Sequence, residues 1–295
     1  MSRFITLIQF EIRKVLSQKK AFLFLLALNV VPLLAAFFSL LAFIKLKGWG
    51  VGEIKLSILI QIVKGLFVAH VKFFSLISPF FLALVIGDSF SGESGRGYLK
   101  TLLLTPVSRW QVVLAKAISV LLFLLIAITL GGLFLQINLW VAQSMTESPN
   151  FIFDVREQAS TSTVILETTT AMRLLFISFV VDLVVIGYFI VFSLFFESPI
   201  LMAFTSLIVL MALHTYDLMA PYLSKVDPSY GKVAEYFFTR QISQLSDVDT
   251  IHGLLEKNLF LTSPEVFNPF LASLGWAALF FVAALAIFQR KQILN

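Results

Sequence analysis

The chain contains no cysteine, three histidines and few charges, since Asp, Glu, Lys and Arg make up only 13% of its 295 residues. A soluble domain carries roughly 25%. Without cysteine there is no zinc–thiolate or iron–sulfur site and no thiol nucleophile, although this says nothing about redox compartment. The shortage of charge excludes a soluble protein of this length, because too few polar side chains remain to coat its interior. Disorder is excluded by the opposite excess, with 59% hydrophobic residues and 32 Phe. A membrane-embedded enzyme lacks its parts: there is no paired set of Glu, no clustered His and no activated Ser with a nearby base. The net charge of +5 suggests nucleic acid only until the charges are located.

What the chain has is apolar length. A helix crossing a bilayer needs about 20 mostly apolar residues, and six stretches qualify: 21–44, 66–86, 117–137, 174–196, 199–220 and 270–288. The predicted fold is an all-α integral membrane protein of six transmembrane helices, forming a single transmembrane domain over 1–295. Six spans put both termini on one side. The first 20 residues hold Arg3, Arg13, Lys14, Lys19 and Lys20 against one acid, Glu11, so the positive-inside rule makes that side cytoplasmic. Segments 88–116, 197–198 and 289–295 then also lie inside. The inner segments together hold eleven of the 22 Lys and Arg against four acids, Glu11, Asp88, Glu93 and Glu197. The other eleven cations fall in longer outer segments, which obey the rule poorly. The charge marks membrane orientation, and no nucleic-acid partner is expected. The first apolar stretch is too long for the core of a signal peptide and has no small-residue cleavage pattern.

Residues 1–20 read as an amphipathic helix on the inner membrane surface, with Ile5, Ile8, Ile12 and Val15 on one side and Arg3, Thr6, Gln9, Arg13 and Ser17 on the other; a plain charged anchor is the alternative. Two polar outer loops are expected at 138–170 and 221–268. Loops of that length in compact proteins usually hold structure of their own, and 232–245 suits a helix with Val233, Phe237 and Ile242 on one side. They serve either binding or as a folded lid. Within the membrane, Asp182 lies near the middle of the fourth span, where an acid costs ~2.5–3.5 kcal/mol on translocon scales. It must face a bundle interior, a wet cavity or a partner, either touching a substrate head group or holding two helices together. Asn29 is a weaker candidate for the substrate path, and Pro32 is a kink. His214 and Asp217, three apart, share a helix face as an interfacial pair, and no metal site is expected.

The most informative stretch lies between spans two and three. Gly92, Gly95 and Gly97 interrupt the chain around Glu93 and Arg96, a short amphipathic helix of about Tyr98–Leu104 follows, and Thr105-Pro106 stops it. Val107-Ser108-Arg109 then leads into a new helix, with Ser108 as its N-cap. The result is a rigid elbow outside the membrane, pinned between two spans. Here the sequence resembles the permease subunits of type-2 ABC exporters. Matching positions are Gly92-Glu93, Gly97, Leu99, Leu102-Leu103, Pro106-Val107-Ser108-Arg109 and Lys116, with a departure at Tyr98, where that family usually has Thr. The N-terminal helix, the six spans and the basic C-terminal end extend the likeness over the whole chain.

The resemblance implies one half of an ATP-driven exporter in the cytoplasmic (inner) membrane. A second permease half, identical or related, would complete the path, and a separate ABC ATPase, two copies in all, would dock on the elbows. No Gly-x4-Gly-Lys-Ser/Thr phosphate loop is present, so no cofactor is expected in this chain, and ATP and magnesium would bind the partner. By the same resemblance Leu99, Leu102 and Leu103 would make the apolar docking contacts, and Glu93 and Arg96 would set orientation. Gly97, Pro106 and Arg109 would belong to the same ATPase-coupling set, and the turn at Glu197 would add a smaller contact. The alternative is a secondary transporter or channel without an ATPase, which would need an ionisable relay through several spans, whereas only Asp182 lies deep.

Overall fold

The computed structural model describes residues 2–27, 29, 34, 37, 77–98, 107–146, 161–245 and 264–290, and among these there is no strand. Ten helical segments follow in order: α1 (Ser2–Ser17), α2 (19–27), α3 (77–89), α4 (Ser91–Gly95), α5 (Arg109–Thr146), α6 (Thr161–Ser193), α7 (Pro199–Leu223), α8 (Pro228–Glu235), α9 (Phe238–Leu245) and α10 (Pro264–Arg290). Four of them are long and apolar enough to cross a membrane: 109–133, 176–193, 199–223 and 266–290. These coincide with the third to sixth expected spans. Most of the first two lies outside the described residues, Pro32 included, and what is described of them, 19–27 and 77–89, is helical.

Local chemistry explains where the helices begin. Ser108 caps α5, and the Gln111 side chain three residues on accepts the Ser108 backbone N–H at 3.0 Å, which is half of a capping box. The Ser198 hydroxyl accepts from the Leu201 N–H at 3.4 Å, and Pro199 supplies a first residue that needs no donor. Asp227 and Pro228 repeat the device at α8, the carboxylate accepting from Ser229 at 2.8 Å. α5 and α6 run past the expected membrane boundaries, to Thr146 and from Thr161. Residues such as Asn138 and Gln143 are polar without breaking a helix.

α5 and α6 form the interior, with their spanning windows mostly buried, while α7 and α10 expose most of theirs. Ile200, Phe204, Ile208 and Met211 of α7 and Leu271 and Val282 of α10 are exposed apolar side chains. Among lipid tails this is no cost, because the tails are as apolar as the side chains. Phe24 of α2 meets Phe81 of α3 at 5.0 Å and Phe123 of α5 at 5.6 Å between ring centroids, joining the three helices. Tyr188 of α6 donates its hydroxyl to the Ser206 carbonyl of α7 at 2.8 Å. Its ring also packs on Phe238 of α9 at 5.3 Å.

The 221–268 segment differs from expectation in detail. In place of one helix over 232–245, α8 ends at Glu235 and α9 starts at Phe238. Between them the Tyr236 and Phe237 N–H groups bond three residues back, to Val233 and Ala234, a tighter winding than the α-helix. That changes the register. Phe238, Thr239 and Leu245 turn inward, whereas Val233 is exposed. The gain is aromatic burial, since Phe238 also meets Trp276 and Phe280 of α10 at 6.0 and 5.3 Å.

Candidate functional site

The elbow lies at one end of the bundle, where α3 gives way to α4. Its tight path depends on glycine. A Cβ on Gly95 would stand 2.6 Å from the Glu197 carbonyl oxygen, and one on Gly92 would stand 3.0 Å from the Pro199 ring. The elbow is therefore pressed against the α6–α7 turn. Gly97 has a φ of +77°, a left-handed conformation that side chains disfavour, and it ends the α4 turn. The Ser91 hydroxyl donates to the Ser193 carbonyl at 3.0 Å, a second tie to the end of α6. Arg96, Tyr98, Phe195 and Glu197 are exposed, and the Gly95–Glu197 contact sets the described part of the elbow beside the turn. Leu99, Leu102, Leu103 and Pro106 lie outside the described residues. Arg109 opens α5 and donates to the Gln289 carbonyl of α10 at 3.0 Å, tying the start of one span to the end of another.

Glu93 is not on that surface. Its expected outward, orienting contact is corrected by its burial at 5% exposure. The cause is Lys116, one helical stretch into α5, whose side chain is 0% exposed. An isolated ammonium in such a place is very costly unless paired. Lys116 Nζ donates to Glu93 Oε2 at 2.6 Å and to Glu11 Oε1 of α1 at 3.0 Å, and stands 5.7 Å from the Phe90 ring centre. Lys14 of α1 pairs with Glu93 as well and lies 3.9 Å from Glu11. Two carboxylates and two ammoniums thus balance. Burial, and next the charge of Lys116, hold the Lys14 pKa down at about 8 against its usual 10.5, with Glu11 opposing.

Sequence reasoning noted Glu11, Lys14 and Lys116 singly and did not join them. A signal was present: Glu11 sits four residues from both Leu7 and Val15, and these three make the buried stripe of α1. The packing face of α1 is therefore rotated from the expected one. Val15 is buried and Ile8 and Ile12 are half-buried, but Ile5 is exposed, as is Leu16, beside the polar edge of Gln9 and Arg13. Nearby, Lys20 pairs with Asp88 at 2.7 Å, so the N-terminal segment is held at two charged points.

The candidates for the substrate path lie elsewhere. Asp182 is 1% exposed and accepts from the Ser78 hydroxyl of α3 at 2.6 Å. One of its oxygens thereby joins two helices, while the other has no hydrogen-bond partner among the described residues. Asn29 spends its amide N–H on its own helix, donating to the Leu25 carbonyl at 2.6 Å. His214 Nδ1 meets the Ser243 hydroxyl at 3.3 Å, and Asp217, buried, lies beside Thr239 and Arg240. This pair therefore sits against α9. No group of three His, Cys, Asp or Glu that could hold a metal occurs among the described residues.

The described site is thus an exposed elbow-and-turn surface backed by a buried ion cluster, with a hydrogen-bonded acid deeper in the bundle. No curated protein sequence matches the chain. The model of the ABC-2 family transporter proteins matches residues 5–293, nearly its full length. The resemblance drawn from the elbow motif holds at the level of the family: the chain belongs to the ABC-2 transporter permeases, multi-pass membrane components of ABC transporters.

Proposed function

We propose that this chain is one membrane half of an ATP-driven exporter, paired with a second permease half and driven by a separate ATPase that docks on the elbow. The observation that carries this reading is the merged surface of elbow and α6–α7 turn. Gly95 abuts the Glu197 backbone, so a partner seated on Arg96 and Tyr98 also meets Phe195 and Glu197. A push there reaches α3, α5, α6 and α7 together. In this reading the elbow faces the cytoplasm of the inner membrane, and both termini lie on that side. Arg96 and Glu197 orient the partner directly. Glu93 acts from within, by holding the elbow in place. Leu99, Leu102, Leu103 and Pro106 complete the apolar contact, and Asp182 and Asn29 remain the path candidates. ATP and magnesium bind the partner.

The test is co-purification from the native membrane. The parent chain should recover a phosphate-loop ATPase, and Arg96→Glu with Glu197→Arg should cut that recovery at least tenfold while the permease stays folded. These residues are exposed, and surface changes usually shift stability by no more than about 0.5 kcal/mol. Recovery of no ATPase by the parent, or equal recovery by the double variant, would count against the docking surface.

A further inference from the structure

We propose that Lys116 is a positioning residue for the elbow, and that through its ammonium the N-terminal helix α1, the elbow and the base of α5 are locked into one mechanical unit. This rests on the reading of the elbow as the element that receives the push. The three parts are remote in sequence: Glu11 and Glu93 are 105 and 23 residues from Lys116. Among the described residues, few other groups of α4 reach α5. In α4 the buried residues are Ser91, Gly92 and Glu93, none of which offers a large apolar side chain. Its other ties among the described residues, the Ser91 bond to Ser193 and the close contacts of Gly92 and Gly95, lead to the α6–α7 side. The hold on α5 and α1 therefore falls on Glu93 and the ring of Phe90 beside Lys116.

The energetics make this hold all-or-none. Charge-assisted bonds are about twice as strong as neutral ones, and removing one member of a buried ionic set leaves another charge stranded. An elbow displaced by a partner must either strand Lys116 in a dry site or carry it along. Carrying Lys116 moves α5, and because Glu11 grips the same ammonium, α1 follows. Lys14, partly exposed, spans both carboxylates and keeps the set balanced during such movement. The charged groups around Lys116 are Glu11 and Lys14 from α1 and Glu93 with neighbouring Arg96 from the elbow. The push is thus delivered to the N-terminal helix as well as to the spans.

Hydrogen exchange on the full-length chain in phospholipid nanodiscs, without ATPase, tests the lock directly. Glu93→Gln keeps the size and one acceptor but removes the charge. It should speed exchange about tenfold or more both at 91–98 and at Gln9–Val15, which belong to separate elements. Faster exchange at 91–98 with α1 unchanged would overturn the proposal. Should Glu93→Gln fail to insert, Glu11→Gln reads the same coupling from the other side: it should loosen 91–98, and an unaltered elbow would overturn the proposal equally. In the assembled complex, Glu11→Gln should leave ATPase recovery intact and at least halve the stimulation of ATP turnover by the permease. Full stimulation with a loosened elbow would reduce the cluster to a structural staple and overturn the positioning role. If the parent recovers no ATPase, the docking reading fails, while the exchange result still decides whether the lock exists.

Discussion

Replacing Gly95 by Ala sets two opposing effects against each other. In a helix the change alone favours folding by roughly 0.5–1 kcal/mol, because Gly surrenders more backbone freedom than Ala. In this protein the added Cβ would stand 2.6 Å from the Glu197 carbonyl oxygen and 3.5 Å from the carbonyl carbon, where ordinary contact begins near 3.4 Å. The elbow and the α6–α7 turn would have to part by about 0.8 Å. Both sides of the contact are backbone, so no side chain can rotate away. Overpacking of this kind costs ~1–3 kcal/mol, which exceeds the helix-propensity gain over most of its range and leaves a net loss of up to about 2.5 kcal/mol. Thermal unfolding of the purified chain in detergent should register the loss, and hydrogen exchange should rise at 90–98 and 194–199 together. A Gly95→Ala protein that unfolds at or above the parent's temperature, with the turn's exchange unchanged, would refute the reasoning. The elbow and the turn would then not be in contact.

Four other outcomes are expected. Gly97→Val should destabilise the chain by ~1–2 kcal/mol because of the positive φ, whereas Gly97→Asn should be milder because Asn visits that region; paired thermal midpoints check this. Ser78→Ala should cost ~1–3 kcal/mol by stranding the buried Asp182 oxygen. Asp182→Asn, which keeps an acceptor for Ser78, should cost less, and a double-mutant cycle measures the coupling between them. Tyr188→Phe removes the bond to the Ser206 carbonyl while keeping the ring stack, for a loss of ~0.5–1.5 kcal/mol in thermal unfolding. Lys14 supplies a pH test. Its folded pKa of about 8 lies below the usual 10.5, so between those values the unfolded chain binds more protons and stability rises with pH. The parent should therefore gain stability relative to Lys14→Gln as pH climbs from 8 to 10, and a parent that loses ground to the variant over that range would reject the depressed pKa.

Much of the fold was legible from short-range chemistry. Apolar length located the third to sixth spans, and Ser108 marked a helix start that the backbone adopts. The ends of α5 and α6 were not legible, because apolar content marks where lipid stops and not where the helix stops; Asn138 to Thr146 stay helical. The break between α8 and α9 was hidden too, since its cause is tertiary: Phe238 is drawn toward Tyr188, Trp276 and Phe280 on two other helices. At the site, the glycines marked a break in the helical path that the backbone shows at Gly95–Gly97. The direction of Glu93 was hidden. A carboxylate among glycines reads as solvated, and only Lys116, arriving from another helix with no water to share, turns it inward.

α5 runs for 38 residues, about 57 Å at 1.5 Å per residue, roughly twice the ~30 Å hydrocarbon thickness of a bilayer. A rod of that length is a lever. Arg109 at one end is fastened to Gln289, and Lys116 lies seven positions in. A tilt of only about 5° about that end would sweep Thr146 sideways by ~5 Å. If the elbow is pushed as proposed, small changes there need no long relay of contacts to be felt at the far end of α5. Stiffness and length amplify them, and the amplification ratio is set by how close to its end the rod is gripped.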